Sequence, residues 1–90
     1  MTHNGADRVK WLIASILEPR LVAQGITRGS FEDNLDLRDE GIIDSLGFMQ
    51  LLIELEMRLD TEIDLSELDP EHLTNVGALS RHIAGRCNNR

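Results

Sequence analysis

The chain has 90 residues, enough for one compact domain and too few for two. Hydrophobic residues make up 41% of it but aromatic residues only 3%, so aliphatic side chains must build the core. Sixteen acidic against nine basic residues give a net charge of -7, which repels nucleic-acid phosphates and anionic membranes and attracts basic protein surfaces. We therefore expect a single domain, residues 1–90, that binds proteins and not nucleic acid.

Targeting signals and disulfides are not indicated. No apolar run approaches the roughly 20 residues that span a bilayer, and residues 1–7 lack the charged-then-apolar order of a secretory signal. These features predict a cytoplasmic protein without a membrane span. Cys87 is the only cysteine, so no internal disulfide can form, and its polar surroundings predict an incidental exposed thiol. The ends, about 1–5 and 86–90, are expected to be frayed.

The first predicted helix extends from about Ala6 to Glu18. Asp7 favours its start, and Pro19 is expected to end it. Its buried face is predicted from apolar residues that recur with the helical period: Val9, Leu12, Ile13, Ile16 and Leu17. Trp11 lies outside this stripe, so we expect its side chain to be half exposed.

A long connection follows, from Arg20 to Ile43, in which glycines recur and no helical period is sustained. Apolar residues could anchor it to the helices: Leu21, Val22, Ile26, Phe31, Leu35 and Leu37. A loop of this length without secondary structure is unusual in a small domain. Its length therefore indicates either a functional role or a feature that a whole protein family shares.

The second predicted helix begins at Asp44 or Ser45, with Asp44 as its N-cap, and ends near Leu59 or Asp60. A serine in the first turn of a helix holds its hydroxyl where unpaired amides and the helix macrodipole favour negative charge. A phosphate attached to Ser45 would therefore be stabilised, which makes this residue a candidate attachment point.

Two more helices are predicted after it. At 69–73 an acidic residue precedes a proline in the first helical position, which indicates a short third helix. A fourth helix begins near Thr74 or Asn75, carries apolar residues at helical spacing, and is expected to end at Gly85. The fold class is all-α: a small four-helix bundle of three main helices and one short one, with a long loop between helices 1 and 2.

The second helix carries two apolar faces. One is the predicted core face: Phe48, Leu51, Leu52, Leu55 and Leu59. The other, which we call the docking strip, consists of Leu46, Met49, Ile53 and Met57. Ser45 projects between the two faces, and Glu56 and Asp60 lie close to the strip. The periodicity alone allows the strip either to be buried against the loop or the third helix, or to be exposed to a partner protein.

The surroundings of Ser45 carry a family resemblance. The segment Gly41-Ile-Ile-Asp-Ser-Leu-Gly47 follows a glycine-bearing loop, a leucine-rich helix continues it, and Leu59-Asp-Thr-Glu-Ile63 closes that helix. In this context residues 35–83 resemble the acyl carrier protein family. Members of this family carry a 4′-phosphopantetheine arm on the serine of an Asp-Ser-Leu motif, and a long loop joins their first two helices.

The resemblance implies roles for particular residues. Ser45 would be the attachment point, with Asp44 and Leu46 beside it. The docking strip would be exposed, and the positions that match the family's partner-binding surface are Leu46, Met49, Ile53, Met57, Glu56 and Asp60. A groove on an enzyme that is basic at its edges and apolar at its centre could recognise the strip together with these two acidic residues.

The resemblance also implies how the protein works. A phosphopantetheinyl transferase would use coenzyme A and magnesium to place the arm on Ser45. The protein would not be an enzyme itself. As a monomer, it would hold an acyl or aminoacyl group as a thioester on the arm, receive it from a loading ligase or transferase, and present it to downstream enzymes.

The type of carrier is suggested by two details. Gly47 and Gln50 stand where many fatty-acid carriers have acidic residues. The glycine-bounded motif around Ser45, with the segment Leu68-Asp-Pro-Glu-His-Leu73, is similar to free-standing carriers that adenylate-forming ligases load, including the D-alanyl type.

Other chemistries have less support. A serine hydrolase would need a base such as His3, His72 or His82, and no nucleophile-elbow glycine pattern surrounds Ser45. The acidic loop 33–41 lacks the alternate oxygen ligands of a calcium-binding EF-hand, and one cysteine with scattered histidines does not suit zinc. Two functions remain: a covalently modified carrier, or an unmodified helical adaptor that docks through its second helix.

Overall fold

A computed structural model of the chain describes residues 5–63 and 73–87. These ranges contain four α-helices: α1 (Gly5–Ile16), α2 (Glu18–Ala23), α3 (Ser45–Leu59) and α4 (Val76–Cys87). A single 3-10 turn, Arg28–Ser30, lies between α2 and α3. The predicted all-α fold is confirmed.

Helix α1 buries the face that the periodicity predicts. Its neighbours in the core are α4, against which it packs most extensively, and α3. Val9, Ile13 and Leu17 are buried, while Leu12 and Ile16 are partly buried at the edge of the core. Trp11 is 39% exposed, as expected, and rests at the surface against other side chains. Its ring lies 6.3 Å from that of Phe31, and the Lys10 Nζ lies 5.1 Å from the Trp11 ring centroid.

The start of the long connection is helical, contrary to the prediction. Helix α1 ends at Ile16, and α2 begins at Glu18 after one intervening residue, with Pro19 in its first turn. A proline is well suited there, because the first amides of a helix have no partner inside the helix and the fixed φ of proline is helical. Pro19 therefore lies in the first turn of a second helix, while α1 ends before it as expected. The Leu21 side chain of α2 is buried in the core. Val22, which was also expected to anchor the connection to the helices, is 68% exposed and does not.

The rest of the connection is packed onto the helices. Phe31, Leu37, Ile42 and Ile43 are buried in the core, and Ile26 and Leu35 pack against it. Backbone hydrogen bonds also tie the loop to the start of α4: Leu37 N–H donates to Thr74 O at 2.9 Å, and Val76 N–H donates to Leu35 O at 2.9 Å. The loop is thus a fixed part of the fold that holds the chain entering α3 in place.

Helices α3 and α4 complete the core. The predicted core face of α3 is confirmed, because its members are buried except Leu59, which is partly buried: Phe48, Leu51, Leu52, Leu55 and Leu59. In α4 the Asn75 side chain caps the start by accepting the Ala78 N–H at 3.2 Å. Gly85 does not end α4, which continues to Cys87. The short helix predicted at 69–73 lies outside the described residues apart from Leu73.

Candidate functional site: the Ser45 end of helix α3

Asp44 fixes the point at which α3 begins. Its backbone is extended, with φ -102° and ψ -172°, so the helical conformation starts at Ser45. The Asp44 Oδ1 accepts the Gly47 N–H at 2.7 Å, and the Asp44 carbonyl accepts the Phe48 N–H at 2.8 Å. This is the N-cap arrangement that the sequence predicts. Asp44 therefore positions the neighbouring serine by ending the loop and starting the helix at one residue.

Ser45 is exposed as the first residue of α3. The cap satisfies the amides of Gly47 and Phe48, whereas those of Ser45 and Leu46 have no hydrogen-bond partner among the described residues. Unpaired amides at the positive end of a helix favour a nearby anion. The residues present therefore suit a phosphodiester on the Ser45 hydroxyl, which is accessible to a modifying enzyme.

Three members of the docking strip are exposed to solvent. The exposed fractions are 67% for Leu46, 48% for Ile53 and 71% for Met57. Met49 is instead partly buried and packs against the core, because its position on the helix lies between the strip and the core face. The strip is therefore an exposed apolar surface on α3 with one member that also contributes to packing.

The two acidic residues near the strip, Glu56 and Asp60, each also contribute to the end of α3. The Glu56 carboxylate is half-buried, and its Oε2 accepts the Ile63 N–H at 2.7 Å. Asp60 is exposed and ends α3 in a left-handed conformation, with φ 51° and its N–H donating to the Glu56 carbonyl. Glu56 thus holds the segment after α3 against the helix, while the Asp60 side chain faces solvent.

An open groove of about 580 Å³ begins beside Ser45 and was not predicted from the sequence. Its walls include Arg20 from α2, Arg38 from the loop, and Leu46 and Gln50 from α3. Gly47 lies under the Arg20 guanidinium: a Cβ at this position would be 2.7 Å from the Arg20 Nη1. The glycine after the Asp-Ser-Leu motif was the signal in the sequence, since a missing side chain in a helix can mark a close approach by another group.

The loop that carries Arg38 is organised by Asp36. The Asp36 Oδ1 accepts N–H groups from Arg38 and Asp39, each at 3.0 Å, and the Thr74 hydroxyl at 2.8 Å. Burial raises the pKa of the Asp36 carboxyl, but these hydrogen bonds and the Arg38 charge outweigh it and hold the pKa below its ordinary value. The carboxylate is therefore charged at neutral pH and fixes the loop beside the groove.

The described part of the chain holds no group of three or more His, Cys, Asp or Glu residues that could bind a metal ion. Within residues 5–63 and 73–87, no helix has the length and apolar character needed to cross a membrane. Of the three histidines, His82 is half-buried in α4, whereas His3 and His72 lie outside these ranges.

Comparison with known proteins places the chain in a family. Residues 23–83 match the family model described as "Phosphopantetheine attachment site". D-alanyl carrier protein 2 of Lactiplantibacillus plantarum is 42% identical over 65 residues, which cover 70% of this chain and 74% of that protein. The D-alanyl carrier protein of Listeria innocua is 53% identical over 36 residues, 40% of this chain and 46% of that protein. That of Bacillus cereus is 42% identical over 40 residues, 42% of this chain and 51% of that protein. No solved structure gives a significant match.

Proposed function

Because the chain belongs to the phosphopantetheine attachment site family, and is thus a non-catalytic carrier with a 4′-phosphopantetheine arm, we propose that Ser45 bears this arm. One observation carries the proposal: Ser45 is exposed at the start of α3, beside two amides without partners among the described residues. When attached, the arm supplies a terminal thiol that carries an acyl or aminoacyl group as a thioester.

The residues around Ser45 have separate tasks. Asp44 fixes the start of α3 and so holds the serine at the end of the helix, in reach of a phosphopantetheinyl transferase. The exposed members of the docking strip, Leu46, Ile53 and Met57, offer an apolar surface next to the attachment point. Met49 packs between this surface and the core, and Asp60 adds a negative charge at the C-terminal end of α3. Glu56 lies along the same side of α3, although its carboxylate also holds Ile63.

Carrier proteins interact with the enzymes that load them and with those that take the cargo away. For this chain we propose a phosphopantetheinyl transferase, an ATP-dependent ligase and a downstream acceptor enzyme, each docking on α3 in turn. Such handover requires weak binding, because each partner must leave before the next one docks. The carrier acts as a monomer in this proposal, and we propose a cytoplasmic location because modification and loading need coenzyme A and ATP.

The attachment at Ser45 is tested by mass spectrometry. The native chain, incubated with coenzyme A, magnesium and a broad-specificity phosphopantetheinyl transferase, should gain the mass of one arm. Ser45→Ala should gain none, and Ser15→Ala, which removes an exposed serine of α1, should be modified like the native chain. A native chain that stays unmodified would contradict the proposal and favour an unmodified adaptor that docks through α3.

We propose D-alanine as the cargo, because relatives from three genera carry the name D-alanyl carrier protein. The modified chain, incubated with ATP, D-alanine and a D-alanine ligase of such a system, should gain the mass of one alanyl group. The group should be released by hydroxylamine, which cleaves thioesters. Omission of D-alanine or of the arm should abolish the gain. Loading by a malonyl or acyl transferase instead would indicate a fatty-acyl role.

A further inference from the structure

We infer that the groove lined by Arg20, Arg38, Leu46 and Gln50 is a resting site for the phosphopantetheine arm of this chain. We call it the arginine groove. The inference rests on the proposed attachment at Ser45 and goes beyond it, since a carrier needs only a tether for its arm and no surface on which the arm lies. Three features of the groove support it: its charge, its position and its lining.

The charge of the groove is unusual for this protein. The chain has a net charge of -7, yet two arginines, from α2 and from the loop, line this groove against one carboxylate, that of Asp44, whose Oδ1 accepts the Gly47 N–H. Among the described residues, the Arg20 guanidinium forms no ion pair with a carboxylate. Arginine recognises phosphate by charge-assisted hydrogen bonds. Arg20 is thus a cation that is available to an anion attached to Ser45.

Gly47 determines how close this cation comes to the helix. A Cβ at position 47 would lie 2.7 Å from the Arg20 Nη1 and 3.2 Å from the Asp44 Oδ1. Any side chain here would have to displace the guanidinium. The absence of a side chain therefore lets Arg20 lie against the first turn of α3, two residues from Ser45.

The lining of the groove matches the remainder of the arm. Beyond its phosphodiester, the arm has a carbon with two methyl groups and then two amides. The groove offers the apolar side chains of Ile42 and Leu46 and the Gln50 amide, which can both donate and accept hydrogen bonds. Its volume of about 580 Å³ is in the usual range for a small-molecule site.

Leu46 connects the resting site with the surface on which partner enzymes are proposed to dock. This residue belongs both to the docking strip and to the wall of the arginine groove. A partner enzyme that covers Leu46 changes the wall on which the arm rests.

The test compares the unmodified and modified chains by nuclear magnetic resonance. Addition of the arm should shift the backbone amides of Gly41 and Gly47 and the side-chain amide of Gln50. In a Cys87→Ser chain, where the arm carries the only thiol, a nitroxide label on that thiol should remove most of the intensity of these signals. It should spare the amides of Gly25 and Thr27, which line a different pocket between α1 and α2.

Variants identify the cation. Arg20→Gln should still accept the arm but lose the shifts at Gly47 and Gln50, whereas Arg20→Lys should retain part of them. Arg8→Gln is the matched control, because it removes the same charge from an exposed position on α1 and should leave the shifts unchanged. Gln50→Ala, a change at an exposed position, provides a second variant that should weaken the shift at Gly47.

The outcomes separate the inference from the proposed function. A native chain that gains no arm overturns both. A modified chain whose groove amides do not shift, or whose label broadens signals evenly around α3, overturns the resting site and leaves the attachment at Ser45 in place. Equal shifts in Arg20→Gln and the native chain also overturn it.

Discussion

The Thr74 hydroxyl donates a 2.8 Å hydrogen bond to the Asp36 Oδ1, which lies 38 positions earlier in the chain. Thr74 is buried two residues before the start of α4, and Asp36 lies in the loop that leads to α3. Because the same oxygen also accepts the N–H groups of Arg38 and Asp39, one carboxylate joins the loop, the arginine groove and the start of α4. The position of the Ser45 end of α3 therefore depends on a contact far from it in sequence.

This contact predicts a pH dependence of stability. Since the pKa of Asp36 is lower in the folded chain than its ordinary value, its contribution is fully present above the unfolded pKa of about 3.9. It is lost as the pH falls through the lower, folded pKa. Asp36→Asn keeps an acceptor oxygen but loses the charge, so it should be less stable than the native chain at pH 7 by about 1 kcal/mol. The difference should shrink as the pH is lowered from 5 to 3.

Circular dichroism melts across this pH range measure the effect. Asp39→Asn is the matched control, because it neutralises an exposed carboxylate in the same loop and should follow the native pH dependence. A constant difference in melting temperature between Asp36→Asn and the native chain at every pH would contradict the role of the Asp36 charge.

The sequence predicted those parts of the fold that short-range patterns determine. The bounds of α3, its cap at Asp44 and its core face follow from local capping chemistry and helical periodicity, and all three are confirmed. Helix α2 was missed because it has only six residues, too few to show a period, and because Pro19 was interpreted as a terminator. The extension of α4 beyond Gly85 was missed because a glycine can lie inside a helix as well as end it.

The candidate site was predicted only in part, because short-range patterns determine only some of its contacts. Ser45 and the docking strip lie on one helix, so their relation could be derived from the sequence. The arginine groove joins α2, the loop and α3, and the bond between Asp36 and Thr74 joins the loop to α4. Such contacts depend on how the segments pack, which residue spacing does not determine.

The cap at Asp44 should contribute measurably to stability. Asp44→Ala removes the acceptor of the Gly47 N–H and should lower the free energy of unfolding by about 0.5 to 2 kcal/mol. Asp44→Asn keeps a side-chain oxygen at this position, so it should retain most of that stability. Urea titrations followed by circular dichroism give the difference. If both variants lost stability equally, the negative charge of Asp44 and not the cap geometry would be the important property.

Glu56 is expected to stabilise the segment after α3. Its carboxylate accepts the Ile63 N–H at 2.7 Å, and Ile63 is buried in the core. Glu56→Ala should therefore reduce stability by about 1 kcal/mol, because a partly buried amide loses its partner. Glu54→Ala is the comparison: it removes only the surface ion pair with Arg58, worth about 0.2 to 0.5 kcal/mol. Thermal unfolding that ranks the two variants in the opposite order would refute this role for Glu56.

The docking strip should affect transfer without affecting folding where its residues are exposed. Leu46→Ala and Met57→Ala should slow both modification of Ser45 and loading of the arm, and should leave the melting temperature nearly unchanged. Met49→Ala should reduce transfer and stability together, because this side chain also packs against the core. Rates of mass gain with the transferase and the ligase, measured beside thermal melts, separate the two effects.

Two control variants show what an exposed truncation outside the strip and a core truncation do in the same measurements. Val22→Ala truncates a side chain that is 68% exposed but lies on α2, outside the strip, so it should change neither rate nor stability. Leu51→Ala truncates a buried residue of α3 and should lower the free energy of unfolding by about 2 to 5 kcal/mol. If Leu46→Ala and Met57→Ala transferred as fast as Val22→Ala, the exposed apolar surface of α3 would not be the docking surface. Partners would then have to recognise the carrier through other residues near Ser45.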